Sequence, residues 1–297
     1  MSNSFTEWAW PWWTVMVSIN AVNLVICAII FKRSLNSKNG DDSKYRKQMR
    51  IMGTIFTVVG AYRAVFVSRY FAQLAWFDLI LNSSLLIRMF AVAAELSFSG
   101  LFAMAMLRFN SYFPAPNNKE SGKLMSFMTT KSPYILVLCI FVAQFFATSG
   151  LIIKSNTLFA IEETLWFVGF LAVLPLALYQ LRHIFSIKDK EDRERFRMLR
   201  IATLIIAAWC VFYCCYGLFY HLPLETWASA IEQLTTGDPP LKTDPSAIAD
   251  AFFIVNESKK FSDWGFGFLL WHSAYFSICV WISLFLMQAP RPRQISQ

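Results

Sequence analysis

Arg63, Arg88 and Glu95 fall inside long apolar runs, and Arg69 lies at the edge of one. A charge held in hydrocarbon costs several kcal/mol unless it is paired or hydrated, so such residues mark either a working site or a clamp. Arg63 reads as near the middle of one helix and Glu95 as near the middle of the next. Antiparallel neighbours joined by a short connection place the two at similar depth, which makes an Arg63 to Glu95 ion pair geometrically natural. Arg88 precedes Glu95 by two helical turns and lies on much the same face. The pair reads as a coupling switch or one wall of a midplane ligand site, and equally as a structural clamp between two helices.

A second set of polar groups collects toward one side of the membrane: Arg69, Asp78 and Asn82, then Glu162 and Glu163, His221, Asp263 and His272. Together they suggest a vestibule, although any one of the acids or His221 also suits a helix end meeting water. The ligand-binding set expected from the sequence is Arg63, Arg69, Arg88, Glu95, Asn82, Glu162, Glu163 and His272. His221, His272, Glu162, Glu163 and Asp263 are metal-ligand types, yet they come from three helices without His-x-x-x-His or Glu-x-x-His spacing, so no metal site is expected. No nucleophile elbow is present, and Ser273 and Ser277 read as hydroxyls bonded to their own helix. No catalytic residue or cofactor is assigned.

Several chemistries are excluded. The final apolar run has no lysine for a retinal Schiff base and no Asn-Pro pair, and the third ends Met106-Leu107-Arg108-Phe109, which lacks the receptor signature of G-protein-coupled proteins. No phosphate-cradling glycine loop exists either.

The elements that must position these residues follow from composition. Of 297 residues 56% are hydrophobic and only 15% charged, with a mean hydropathy of +0.45. A soluble domain carries about 25% charge, whereas a bilayer accepts apolar runs of about 20 residues. The chain reads as an all-α polytopic membrane protein, one domain over 1–297, with seven spans at about 12–31, 51–71, 85–107, 134–153, 164–180, 201–220 and 264–287.

Basic residues set the expected orientation. Twenty of the 27 Lys and Arg fall in alternate connections and the tail: from Lys32 to Arg50, Arg108 to Lys131, Arg182 to Arg200, and Arg291 with Arg293. The opposite connections hold only Lys154, Lys242, Lys259 and Lys260. Lys and Arg stay cytoplasmic, so the N-terminus is expected outside and the C-terminus inside. Trp8, Trp10, Trp12 and Trp13 then suit an aromatic belt, Pro11 and Pro133 helix starts, and Pro175 a kink. The first ten residues carry no Lys or Arg, so the first helix is expected to be retained. A small helical outer cap is expected over 221–263, with helices at about 224–234 and 246–255 separated by Gly237-Asp238-Pro239-Pro240. Its Ile231, Leu234, Ile248, Phe252 and Phe253 are expected to lie on the membrane or lid the bundle. The charged run from Lys188 to Arg197 is expected to extend a helix beyond the bilayer, where it can meet a soluble partner or anionic lipid. All six cysteines lie within apolar runs and read as packing residues.

The favoured reading is a membrane binding or transport protein with an outward cavity for a small polar or anionic ligand, built on a midplane Arg–Glu pair. The alternatives are a membrane-embedded enzyme acting on a lipid or quinone-like substrate through Glu95, Glu162, Glu163 or His272, and a structural or assembly subunit of a larger complex. Expected partners are the lipid bilayer, a small ligand and other copies or membrane subunits, with no nucleic acid. The expected location is a plasma or bacterial inner membrane.

Overall fold

The computed structural model describes residues 9–35, 42–70, 73–113 and 122–293, with no side chains for 122–125. Trp8, Lys38, Lys119 and the end of the expected second span at residue 71 lie outside the described residues.

Six helices, among the described residues, are long and apolar enough to cross a bilayer. Four are simple: α1 (Trp10–Leu35), α3 (Ser84–Tyr112), α4 (Gly122–Ile153) and α5 (Asn156–Phe185). A short helix α6 (Lys190–Arg195) precedes α7 (Arg197–Tyr216), which runs on without a break through a π-helical stretch, Gly217–Thr226, into α8 (Trp227–Thr236). Further on come α9 (Ala247–Phe253), α10 (Phe261–Trp264), α11 (Phe266–Ala274), a second π-helical stretch, Tyr275–Cys279, and α12 (Val280–Leu286). Helix α2 (Ser43–Val65) packs among these but carries Lys44, Arg46, Lys47, Arg50 and Arg63, and falls short of the same apolar standard.

Consecutive helices are neighbours: α1 packs on α2, α2 on α3, α3 on α4, α4 on α5 and α5 on α7, while α12 returns to α1 and α2 and closes the bundle. Helix α3 is the axle, with 61% of its apolar window buried against 22% for α1. Its start is fixed by Ser83, whose hydroxyl accepts the Leu86 N–H at 3.1 Å, and Ser155 caps α5 in the same way at 3.3 Å. The polar helix α2 is held by close approach. A side chain at Gly53 would meet Met287 Cβ at 2.6 Å, and one at Gly60 would meet Val280 at 3.0 Å. Two glycines seven residues apart therefore let α2 lie directly on α12.

Several expected boundaries move. Pro133 sits inside α4 rather than opening it, because the helix already begins at Gly122, and α5 continues as helix through Pro175. The run 51–71 is not one helix: α2 ends at Val65, and Ser68–Arg69 pairs antiparallel with Leu74–Ala75, which pairs in parallel with Asn256–Glu257. Arg63 therefore stands in the last turn of α2, not at its middle. The first cap helix is no separate element, since it continues α7. Pro223 has no N–H to donate to the carbonyl of residue 219 and its ring crowds that carbonyl, and the widened π turn accommodates it. Gly237, at φ 75°, ends that helix where the Gly-Asp-Pro-Pro break is expected. The second cap helix is α9, and Ile231, Leu234, Ile248 and Phe253 are exposed around it. The run from Lys188 to Arg197 forms its own short helix, α6, cut off from α7 at Phe196.

Two of the tryptophans at the start of α1 also make internal bonds. Trp12 and Trp13 turn inward, donating to Ser273 Oγ at 2.8 Å and to the Val65 carbonyl at 3.0 Å. Trp13 stacks on fully buried Trp76 at 5.6 Å, and Trp76 meets Trp264 at 6.0 Å. An indole N–H that finds an internal acceptor gains by burial, so half-buried Trp12 and Trp13 pack on the cluster of Trp76 and Trp264, while Trp10 is 39% exposed.

Candidate functional site

At the end of the bundle that carries the small sheet, α2, α3, α5, α7 and α11 surround a cavity of about 330 Å³. Six of the eight expected ligand residues line it: Arg63, Arg88, Glu95, Glu162, Glu163 and His272. The other two do not. Arg69 reaches away to the carbonyls of Trp264 (3.2 Å) and Asp263 (3.5 Å). Asn82 is fully buried and serves its own loop, donating to the Val67 carbonyl and accepting the Phe77 N–H at 3.1 Å. Both are pins for the connection between α2 and α3.

The expected ion pair changes partner. Glu95 binds Arg88, not Arg63, through two bonds: Nη1 to Oε1 at 3.2 Å and Nη2 to Oε2 at 3.0 Å. A guanidinium on a long stem spans the two helical turns between them, whereas Arg63 makes no ion pair with Glu95. Arg88 is only 3% exposed and takes two further partners, Gln144 Oε1 from α4 at 2.5 Å and Glu162 Oε1 from α5 at 3.4 Å. Gln144 closes the ring by donating to Glu95 Oε2 at 3.0 Å. Three helices are thus tied at one buried cation, the arrangement in which a desolvated charge is tolerated.

Glu163 is one residue on, about 100° around α5, and faces α7 instead. Its Oε2 accepts from the Tyr213 hydroxyl at 3.3 Å. His221 Nε2 lies 3.3 Å from the same oxygen, at ion-pair distance but off the line of a hydrogen bond. The other nitrogen of His221 meets Glu225 Oε2 at 2.7 Å. The π-helical stretch Gly217–Thr226 contributes His221 to the cavity lining.

Arg63 differs from Arg88. Among the described residues no carboxylate lies within ion-pair distance of it, and its guanidinium rests over Phe276 at 4.9 Å and Tyr70 at 5.6 Å. His272, 4% exposed, stands against the rings of Phe276 (4.4 Å), Trp12 (5.3 Å) and Phe268 (5.4 Å). Its Nε2 has no hydrogen-bond partner. The same is true of Tyr70 Oη, Trp209 Nε1, Tyr275 Oη and Arg88 Nε, all on residues of the cavity wall. Buried polar atoms in native proteins are almost always bonded, so this concentration of unpartnered groups, several of them N–H or O–H donors, makes this wall the candidate site.

The rest of the lining is aromatic. Ten of the lining side chains are Phe, Trp or Tyr, and Phe98, stacked on Phe56 at 5.0 Å, forms the deep wall below Glu95. Of the residues the sequence reading passed over, Gln144, Tyr213 and Tyr275 carried a signal, a lone polar group within an apolar run, while Tyr70, Trp209 and Trp271 carried none. Among the described residues no three of His, Cys, Asp and Glu converge as metal ligands. Comparison with protein-family profiles, curated proteins and solved structures gives no match.

Proposed function

We propose that the chain is a membrane binding or transport protein whose cavity takes a small organic anion with a flat apolar body. The observation that carries this reading is the imbalance of partners on the cavity wall. The three carboxylates are engaged, Glu95 and Glu162 by Arg88 and Glu163 by Tyr213 and His221. The groups without a partner include the N–H donors Trp209 Nε1 and Arg88 Nε and the hydroxyls of Tyr70 and Tyr275, and the Arg63 guanidinium has aromatic rings rather than a carboxylate beside it. A count of charged residues alone misleads, since the wall has more Glu than Arg. What matters is which charge lacks a counter-ion, and that is a cation. The aromatic lining favours a planar body between the rings.

In this reading α2 crosses the bilayer as a seventh span, the sheet-bearing cap faces outside and the arginine-rich end faces the cytoplasm, following the asymmetry of Lys and Arg. Transport is favoured over static binding because π-helical stretches occur in both α7–α8 and α11–α12, and both contribute to the wall. Such irregular turns are common where helices must flex around a ligand.

Trp166, Trp209 and Trp271 line the cavity, so their fluorescence reports occupancy. Titration of the purified protein with aromatic carboxylates is expected to quench it, while amines of matched shape leave it unchanged. Arg63→Gln is expected to weaken carboxylate binding about tenfold or more, the worth of one charge-assisted hydrogen bond. Preferential binding of the amines, or unchanged carboxylate affinity in Arg63→Gln, would overturn the reading.

A further inference from the structure

A second cavity, of about 520 Å³, lies at the opposite end, between the α6–α7 corner and the tail after α12. Arg195, Arg197, Arg291 and Arg293 line it, with Glu194 as the one carboxylate among the lining residues. The backbone N–H of Arg293 donates to the Arg195 carbonyl at 2.8 Å, so tail and corner are fastened together and their arginines share one space. Tyr45 of α2 bonds the Pro290 carbonyl at 3.4 Å and seats the tail against the bundle. Among the described residues none of these four guanidiniums has a carboxylate at ion-pair distance.

The wall of this pocket changes character along α7. Met198 and Ile201 belong to the lining, and Ile201, Leu204, Val211 and Phe212 continue from it at helical spacing with exposed side chains. An arginine cluster that opens onto an apolar stripe matches a molecule with an anionic head and hydrocarbon tails. Guanidinium forks suit phosphate oxygens, which accept in pairs.

We propose that this pocket binds the phosphate-bearing headgroup of an anionic bilayer lipid, whose acyl chains lie along the exposed stripe of α7. The site is independent of what the other cavity takes. It also gives the basic corner a role beyond setting orientation, since basic residues beside a bilayer attract anionic headgroups.

Delipidated full-length protein, titrated with dioleoyl phosphatidylglycerol or dioleoyl phosphatidylcholine and read by native mass spectrometry, tests the assignment. Phosphatidylglycerol is expected to be retained about twentyfold better, and Arg291→Gln with Arg293→Gln to bring the two lipids to parity, at about fivefold per arginine. The paired Lys substitutions keep the charge and should keep most of the preference. Inorganic phosphate and glycerol 3-phosphate, added as competitors, are expected to leave the lipid in place. Equal retention of both lipids by the unmodified protein, or an undiminished preference in the Gln variant, overturns the site. Displacement by inorganic phosphate overturns the lipid as occupant and assigns the pocket to a soluble phosphate.

Discussion

Arg88 and the arginines of the tail are the same side chain in opposite circumstances. Arg88 is sealed in the bundle and meets two carboxylates and an amide, while Arg195, Arg197 and Arg293 are exposed and meet none at ion-pair distance among the described residues. Water and headgroups satisfy a charge at the rim, so nothing inside the protein has to. In hydrocarbon the counter-charge must come from the chain. The contrast bears on Arg63: it lines the same cavity as Arg88 but is only half-buried and, like the corner and tail arginines, has no carboxylate at ion-pair distance among the described residues, which is why the proposed ligand reading rests on it and not on Arg88.

Breaking the buried pair should have the largest effect. Arg88→Met leaves Glu95 and Glu162 facing each other without a cation, and thermal unfolding of the purified protein is expected to show a loss of about 3–5 kcal/mol. Adding Glu95→Met should recover part of it, whereas Arg63→Gln and Glu95→Gln together should be additive; strong coupling in the second pair would return the partnership to Arg63. Next in size, Gln144→Leu removes the bridge between Arg88 and Glu95 and is expected to cost about 1–3 kcal/mol in the same measurement. The smallest change belongs to the rim, where Arg195→Gln should shift stability in detergent by less than about 0.5 kcal/mol. A larger loss there would mean that the rim arginine is a structural tie as well.

The apolar runs made the long helices legible, because hydrocarbon thickness sets their length regardless of their neighbours. The serine caps at Ser83 and Ser155 are equally local. Partners were harder. Arg88 and Glu95 share a face at seven-residue spacing, a relation visible in the sequence, but the choice between Arg63 and Arg88 depended on how α2 packs against α3. The end of α2 ahead of the pairing of Ser68–Arg69 with Leu74–Ala75 was hidden as well, because the run stays apolar through Val67. Glu162 and Gln144 meet Arg88 only because α4 and α5 pack beside α3, and no local pattern announces that. The joining of α7 to α8 defeated the reading for a further reason: Pro223 ordinarily breaks a helix, and here a wider turn absorbs it.

The three-stranded sheet, small as it is, bears on the order of assembly. Its middle strand, Leu74–Ala75, gains its second neighbour from Asn256–Glu257, about 180 residues later in the chain. During synthesis the connection between α2 and α3 must therefore wait, half-paired, until Asn256–Glu257 has been made. The segment that holds Ser68 and Tyr70 thus gains its last strand contact only after α7, α8 and α9 exist, and α11 then adds the remaining side of the cavity wall.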